Sequence, residues 1–257
     1  MARTLAVLSD FASAAKELDA TWLDAATTAA ARDASNGRVF AMMAHAVGVP
    51  VRIISGDEEA TLSTLSVTAE PPPGAGDLVV LDIGGGSTEL VACSAHGKVE
   101  TRVSLPIGSV RLTEACVRGD VVGASELEAL RQTVRRALKD AHPPNAPFAM
   151  VGLAGTITSL AAVHLGLTTY DSKRIHDSKL PAAAVNRLLE KFAAMSLAER
   201  QQVTGLEPKR ADVIVAGTCI VSEVLSHYGV DELWVSDRGL RWGLLRNALA
   251  ATKLTTD

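Results

Sequence analysis

The sequence predicts an α/β protein with two lobes. Short apolar strands alternate with segments whose apolar residues recur every three or four positions, and this alternation continues on both sides of a linker. The linker, residues 70–76, has the sequence Glu-Pro-Pro-Pro-Gly-Ala-Gly and is the clearest break in the chain. We therefore predict an N-terminal lobe over residues 1–72 and a C-terminal lobe over residues 77–257, whose last helix packs back on the N-terminal lobe.

The N-terminal lobe begins with a predicted helix, because the apolar residues within 5–18 share one helical face. A strand within residues 22–29 follows, and then a helix over about residues 33–46 that ends before a glycine and a proline. A short apolar strand over residues 51–54 leads into a third helix. Acidic residues at 57–59 open that helix, where the helix dipole is positive.

The C-terminal lobe is predicted to open with three strands, over residues 78–83, 89–93 and 99–105. A glycine-rich turn joins the first two, which indicates an antiparallel hairpin. Ser125 followed by Glu128 predicts a capping box at the start of a helix. The other elements predicted here are a strand over 150–153, a helix from Pro181 to Phe192, a strand over 233–236 and a C-terminal helix.

Composition and charge narrow the class of protein. The 257 residues are 47% hydrophobic and 21% charged, which is typical of a globular protein with a substantial core. A net charge of −4 argues against non-specific nucleic-acid binding. The three cysteines are widely spaced, so neither a disulfide framework nor a zinc site is predicted. The longest apolar stretch, residues 211–225, contains two acids and is shorter than the ~20 residues of a membrane span. We expect a cytoplasmic protein with no nucleic-acid and no membrane partner.

The stretch Asp82-Ile83-Gly84-Gly85-Gly86-Ser87-Thr88-Glu89 is the strongest candidate site. Three consecutive glycines remove the Cβ atoms that would keep a phosphate away, and they let backbone N–H groups converge on an anion. Two hydroxyls add donors. The aspartate ends a buried apolar strand and is placed to hold Mg²⁺, a role that the glutamate could share. The weaker interpretation is a tight hairpin with a solvated acid at each end, because a two-residue turn would form such a hairpin without three glycines.

The stretch Gly152-Leu153-Ala154-Gly155-Thr156-Ile157-Thr158-Ser159 is a second candidate phosphate loop. It leads from a strand into a helix N-terminus, where unpaired N–H groups favour an anion. Close packing of the strand on the helix explains its small residues equally well. The phosphate interpretation gains weight because the first loop is present in the same chain.

Charged residues of the N-terminal lobe leave two interpretations open. Arg32 follows a run of small uncharged residues, and it either clamps phosphate oxygens or pairs with Asp33 at the surface. Glu58 and Glu59 point about 100 degrees apart on a helix turn, so at most one faces a cleft and could deprotonate a water. The pattern alone favours solvated acids. Two clusters of basic residues either guide a long anion toward the cleft or are solvated loop positions, which is the default interpretation; they are Lys173, Arg174, His176 and Lys179, and Lys209 and Arg210.

Together these features resemble the exopolyphosphatase/guanosine pentaphosphate phosphatase (Ppx/GppA) family, a branch of the actin-like and sugar-kinase superfamily. The resemblance covers nearly the whole chain in the family's order. It implies a two-lobed actin-like (ribonuclease H-like) α/β fold with a cleft between the lobes. The stretches that carry it are residues 31–37, 53–60, 82–89, 104–112, 155–162 and 236–241.

The resemblance also implies roles for particular residues. Glu59 would be the general base that activates water, in place of the solvated acid that the pattern alone favours. Arg32 would be catalytic by binding the terminal phosphate, and Asp82 and Glu89 would hold Mg²⁺, the expected cofactor. The residues expected to bind phosphate are Gly84, Gly85, Gly86, Ser87, Thr88, Gly155 and Thr156.

Two departures from the family pattern are visible. The family begins with a strand and a first phosphate loop of the form Asp-x-Gly-Ser/Thr-Asn-Ser, and this sequence contains neither. We therefore expect an N-terminally truncated family member whose first lobe is incomplete. The smaller departure is Trp242, at a position where an acidic residue is common.

The function implied by the resemblance is a Mg²⁺-dependent exopolyphosphatase that removes the terminal phosphate of inorganic polyphosphate, with a homodimer as one expected assembly. One alternative is a guanosine pentaphosphate (pppGpp) 5′-phosphohydrolase, whose ligands would be guanosine penta- or tetraphosphate. Another, which follows from the truncation, is a non-catalytic protein that binds polyphosphate or alarmones. Sugar-kinase chemistry is disfavoured because those relatives lack the Ser-Gly-x-Glu-Glu-Ala stretch found at residues 55–60.

Overall fold

The computed structural model describes residues 1–21 and 23–254. Contacts between Cα atoms divide the chain into two compact units, Met1–Thr61 and Leu62–Asp257. Strands and helices occur in both units, so the predicted α/β class is confirmed. Among the described residues, no helix has both the length and the apolar character that crossing a membrane requires.

The first unit is built around a two-stranded parallel sheet. Strand β1 pairs with strand β2, with Thr27 opposite Ile53. The predicted helix at the N-terminus is confirmed, and none of its residues is buried. Trp22, the first residue of the predicted strand segment, lies outside the described residues. The elements of this unit are α1 (Ala2–Glu17), β1 (Ala25–Thr27), α2 (Ala29–Arg32), α3 (Gly37–Ala46), β2 (Val51–Ile53) and the beginning of α4 (Gly56–Thr68).

The helix predicted over residues 33–46 is wrong at its start. The chain forms the short helix α2 first, turns through residues 33–36, and begins α3 only at Gly37. The turn brings Gly37 against the carbonyl group of Ala31, where a Cβ atom would overlap the backbone. The break is therefore set by a close approach between two backbone segments, which helical periodicity cannot show.

The second unit contains a six-stranded mixed sheet with the strand order β5-β4-β3-β6-β8-β7. The predicted β3–β4 hairpin is confirmed as an antiparallel pair. Strand β6 runs parallel to both β3 and β8, so these three strands end at the same edge of the sheet. The strands are β3 (Asp77–Ile83), β4 (Thr88–Cys93), β5 (Val99–Leu105), β6 (Phe148–Leu153), β7 (Lys179–Pro181) and β8 (Glu232–Val235).

Helices cover this sheet, and one of them forms the centre of the core. The apolar stretch at residues 211–225 contributes most of α11 (Ile214–Tyr228), which is buried along nearly its whole length. It packs against α5, α6, α7 and α9. The helices that follow α4 are α5 (Ser109–Cys116), α6 (Ala124–Leu138), α7 (Ala154–His164), α8 (Ser172–Ile175), α9 (Ala182–Ala193), α10 (Leu197–Arg200), α11 and α12 (Leu240–Leu254), with a 3₁₀ turn at Pro208–Arg210.

The predicted capping box at Ser125 and Glu128 is wrong. Helix α6 begins two residues earlier than a cap at Ser125 would place it, with Gly123 as its N-cap. The carboxylate of Glu126 accepts hydrogen bonds from the N–H groups of Gly123 and Arg118 at 2.9 and 2.6 Å. These backbone bonds, that of Gly123 foremost, lower the pKa of Glu126. The predicted start of α9 at Pro181 is also displaced by one residue, because that proline still belongs to β7.

The boundary between the two units lies within α4, ahead of the proline-rich linker. The second half of α4 is tied to the second unit, since the hydroxyl of Ser66 donates to the carbonyl of Arg238 at 2.8 Å. Glu70 forms ion pairs with Arg238 and Arg246. The guanidinium of Arg238 also lies over the ring of Trp242, 5.0 Å from its centroid. Trp242, the departure from the family pattern, thus makes a cation–π contact with Arg238, the arginine that also forms an ion pair with Glu70.

Candidate functional site

The first glycine loop, residues 84–87, connects β3 to β4. Two of its carbonyl oxygens accept hydrogen bonds from the start of α5. The carbonyl of Gly84 accepts the N–H of Ser109 at 3.0 Å. The carbonyl of Gly85 accepts the N–H groups of Val110 and Arg111, each also at 3.0 Å. Among the described residues, none accepts a hydrogen bond from the N–H of Gly85 or of its neighbour Gly86. Donors arranged in this way form a nest for an anion.

Gly108 is what allows the first loop to lie so close to the start of α5. A Cβ atom at this position would come within 2.5 Å of the carbonyl carbon of Gly85 and 2.6 Å of the amide nitrogen of Gly86. Both are backbone atoms, which cannot rotate away as a side chain would. The shape of the loop therefore depends on a glycine more than twenty residues away in the sequence.

The two hydroxyl residues of this loop differ in their surroundings. Thr88 is completely buried, and its hydroxyl donates to the carbonyl of Ile107 at 2.7 Å. That bond holds β4 against the segment before α5. Ser87 is only half-buried at the end of the loop. Of the two, Ser87 keeps its hydroxyl near the surface of the loop.

The carboxylates of Asp82 and Glu89 belong to directly opposed positions of the β3–β4 hairpin. Opposed residues in an antiparallel pair point to the same face of the sheet, with their Cβ atoms about 4.5–5.5 Å apart. Asp82 accepts a hydrogen bond from Ser63 at 3.0 Å, and the buried Glu89 accepts one from Ser104 at 3.1 Å. Two like charges at this spacing repel each other unless a cation lies between them.

This pair of carboxylates fits a magnesium ion better than a metal that needs an all-protein cage. Mg²⁺ prefers oxygen ligands, and it is usually held by one or two carboxylates together with water and substrate phosphate. No group of three or more metal-ligating side chains is found in the described part of the chain. A two-carboxylate site that takes its remaining ligands from water and phosphate is consistent with both observations.

The second glycine loop follows β6, whose last residue Leu153 is paired with Asp82. Ala154 has a φ of 69°, in the left-handed region that is rare for a residue with a side chain. Gly155 and Thr156 follow at the N-terminus of α7. A Cβ atom at Gly155 would overlap the guanidinium of Arg210, so this glycine admits an arginine directly over the loop.

Both glycine loops line one pocket of about 470 Å³ within the second unit. The sequence predicted each loop separately, and the parallel pairing of β3 with β6 places their ends at one edge of the sheet. The N-terminus of α5 and the segment around the 3₁₀ turn complete the wall. The residues that line the pocket are Ile83, Gly84, Gly85, Ser109, Val110, Ala154, Gly155, Thr156, Glu207, Lys209, Arg210, Asp212 and Val213.

Two arginines that were not among the predicted site residues lie beside these loops. Arg210, interpreted as a solvated residue, lies at the pocket with Glu207 at 3.4 Å from it. Arg111 donates to the carbonyl of Pro106, and its other guanidinium nitrogen lies 3.8 Å from the position that a Cβ of Gly86 would take. The signal for Arg111 was present in the stretch 104–112, which contributed to the family resemblance, but no role followed from it.

In the first unit, the two adjacent glutamates have different ion-pair partners. Glu58 accepts a hydrogen bond from Arg52 at 2.8 Å, and the same arginine also binds Asp24. These bonds, that to Asp24 foremost, raise the pKa of Arg52. Glu59 instead lies 3.7 Å from the guanidinium of Arg32. Glu58 thus belongs to a surface ion-pair cluster. Glu59 and Arg32, the two residues to which the family resemblance gives catalytic roles, are neighbours.

Arg32 is oriented by more than this ion pair. Its guanidinium donates to the carbonyl of Ile54 at 3.1 Å and lies 3.8 Å from Asp33. About a third of the side chain is exposed to solvent. The predicted pairing of Arg32 with its sequence neighbour Asp33 is therefore present, and the same guanidinium also faces Glu59.

Comparison with known proteins settles the family. The model of the Ppx/GppA phosphatase family matches residues 1–251. The chain belongs to this family. The Exopolyphosphatase 2 of Mycobacterium tuberculosis is 35% identical over an aligned length of 257 residues. The alignment covers 95% of this chain and 80% of that protein. A bifunctional 3-dehydroquinate synthase/phosphatase of Fusobacterium nucleatum is 34% identical over 216 residues, covering 82% of this chain and 32% of that protein.

Solved structures of Ppx/GppA proteins share the fold. The Aquifex aeolicus family member is 31% identical, superposes with a TM-score of 0.85, and covers 97% of this chain and 81% of that chain. An exopolyphosphatase from Cytophaga hutchinsonii is 25% identical, with a TM-score of 0.88 over 98% of this chain and 82% of that chain. The family resemblance and the actin-like α/β fold class expected from it are confirmed.

Proposed function

We propose that this Ppx/GppA protein is a cytoplasmic, Mg²⁺-dependent exopolyphosphatase. The observation that carries the proposal is the pocket in which two glycine loops lie beside Arg210, one loop having two N–H groups that no described residue accepts. Such a pocket suits a phosphate-rich anion, because backbone N–H groups and a guanidinium bind phosphate oxygens without needing a base or a sugar. The relatives named as exopolyphosphatases support the same substrate class.

In the proposed reaction, a water molecule attacks the terminal phosphorus and the anhydride P–O bond to the next phosphate breaks. Glu59 takes the proton of the water, and the shortened polyphosphate leaves with the bridging oxygen. Arg32, which faces Glu59, binds oxygens of the terminal phosphate. Asp82 and Glu89 would hold Mg²⁺, which neutralises negative charge on the phosphates when it is bound.

The proposed base is tested by Glu59→Gln, with Glu58→Gln as its matched control. Both variants remove one acid from the same helix turn, but Glu58 is engaged by Arg52 and Glu59 faces Arg32. We expect orthophosphate release from polyphosphate to fall about 10²–10⁴-fold in the first variant, which is the usual contribution of a general base, and less than threefold in the second. Full activity of Glu59→Gln would refute the assigned base.

Substrate identity is tested with the unmodified chain. Orthophosphate release is measured from linear polyphosphate and from guanosine pentaphosphate, each with Mg²⁺ and with EDTA. Faster turnover of polyphosphate, lost in EDTA, supports the proposal. Preference for guanosine pentaphosphate would assign the alternative 5′-phosphohydrolase, and saturable binding of either ligand without turnover would indicate a non-catalytic binding protein.

A further inference from the structure

The two carboxylates assigned to Mg²⁺ lie in one row across the sheet. Ser104 of β5 is opposite Glu89 of β4, and Glu89 is opposite Asp82 of β3. Residues in register across adjacent antiparallel strands point to the same face, so the three side chains lie side by side. The hydroxyl of Ser104 donates to Oε1 of Glu89 at 3.1 Å, which fixes one oxygen of that carboxylate.

The other carboxylate has a matching donor from a different element. The hydroxyl of Ser63, on the second half of α4, donates to Oδ2 of Asp82 at 3.0 Å. Ser63 itself is only 2% exposed, so its hydroxyl is held in place by packing. Each carboxylate therefore receives one hydroxyl, although the two serines are more than forty residues apart in the sequence.

A serine hydroxyl orients a carboxylate without cancelling its charge, whereas an arginine or lysine in the same place would compete with a cation. Groups that hydrogen-bond to metal ligands commonly determine how those ligands are oriented. They matter most where the protein supplies few ligands, because the geometry then depends on each one. A site with two carboxylates is such a case.

We propose that Ser63 and Ser104 are positioning residues that hold Asp82 and Glu89 in the orientation required to bind Mg²⁺. The inference rests on the proposed function, since it takes the two carboxylates as the ligands of the metal. It adds a requirement that the sequence motif does not contain, because both serines lie outside the stretch 82–89.

The test is a calorimetric titration of the 257-residue protein with Mg²⁺ alone, without substrate. Ser63→Ala and Ser104→Ala are each expected to weaken Mg²⁺ binding about tenfold, the lower end of the effect of removing a group that supports a metal ligand. Ser104→Thr retains the hydroxyl at an exposed strand position and is expected to bind within threefold of the unmodified protein.

Ser222→Ala serves as a structural control. Ser222 is also a buried serine of the second unit, and its hydroxyl donates to Asn186 at 2.7 Å, but it belongs to α11 rather than to the carboxylate row. It is expected to leave Mg²⁺ affinity unchanged, and the melting temperature of each metal-free variant shows whether it is folded. If Ser63→Ala does not fold, the exposed Ser104 still decides the question.

The outcomes separate the inference from the function on which it rests. Equal Mg²⁺ affinity in the unmodified protein and in both alanine variants overturns the positioning role and leaves the two-carboxylate site intact. Absence of Mg²⁺ binding by the unmodified protein overturns the metal assignment and the inference together. Weaker binding in Ser222→Ala as well would show that the losses reflect general destabilisation, and it too overturns the positioning role.

Discussion

Replacing Gly108 by alanine is expected to disable the first phosphate loop. The new Cβ would lie 2.5 Å from the carbonyl carbon of Gly85 and 2.6 Å from the amide nitrogen of Gly86. Ordinary van der Waals contact begins near 3.4 Å, so the loop or the start of α5 must move by roughly 1 Å. Such a movement also strains the bonds from the N–H groups of α5 to the loop carbonyls.

Both stability and activity should report this displacement. Overpacking of a filled site costs about 1–3 kcal/mol, which for a unit of this size lowers the melting temperature by about 2–12 °C. A misplacement of about 1 Å in a group that binds the reacting phosphate lowers kcat/KM by about 100-fold. The measurements are differential scanning fluorimetry and orthophosphate release from polyphosphate with Mg²⁺.

Gly76→Ala is the control for Gly108→Ala. A Cβ at Gly76 has no atom within 4 Å, so neither stability nor activity should change measurably. If Gly108→Ala keeps its melting temperature and loses less than threefold in kcat/KM, the loop does not depend on that close approach, and its proposed role in holding phosphate is refuted.

Two further predictions concern the core of the second unit. Glu223 is buried and is bound by Arg131 and Arg135 at 2.7 Å each, and both arginines are partly exposed. Glu223→Ala should therefore lower the free energy of unfolding by about 1.5–3 kcal/mol in urea titrations. A loss below about 1 kcal/mol would contradict a stabilising ion cluster. Burial raises the pKa of Cys93 to about 11 and that of Cys219 to about 12. At pH 8, only the partly exposed third cysteine should therefore react readily with a thiol reagent. Fast reaction of all three cysteines in the folded protein would show that the core is open.

Local patterns predicted the elements well where neighbouring residues define them. The β3–β4 hairpin follows from apolar strands on either side of three glycines, and α11 is visible as an apolar run. Errors occurred where a contact between neighbouring backbone segments decides the boundary, because helical periodicity does not show such a contact. The start of α3 depends on the approach of Gly37 to Ala31, and the cap of α6 depends on Glu126 folding back onto the segment at residues 118–123.

The candidate site shows the same division. Each glycine loop was predicted from its own sequence, because glycines before a helix or between strands change the backbone locally. The packing around Glu58 and Glu59 could not be predicted from the residues alone, since both occupy one helix turn. It depends on Arg52 and Arg32, which come from β2 and α2 and which only the fold brings to that turn.

The sequence by itself determined the family and the α/β class, and it predicted both glycine loops, because motifs and apolar periodicity can be followed along the chain. The tertiary structure decided which side chains complete the site. It placed Arg210 over Gly155, Gly108 beneath the first loop, and one serine hydroxyl on each of the two carboxylates. These contacts join segments separated by tens of residues, and such contacts form only when the sheet order and helix packing are in place.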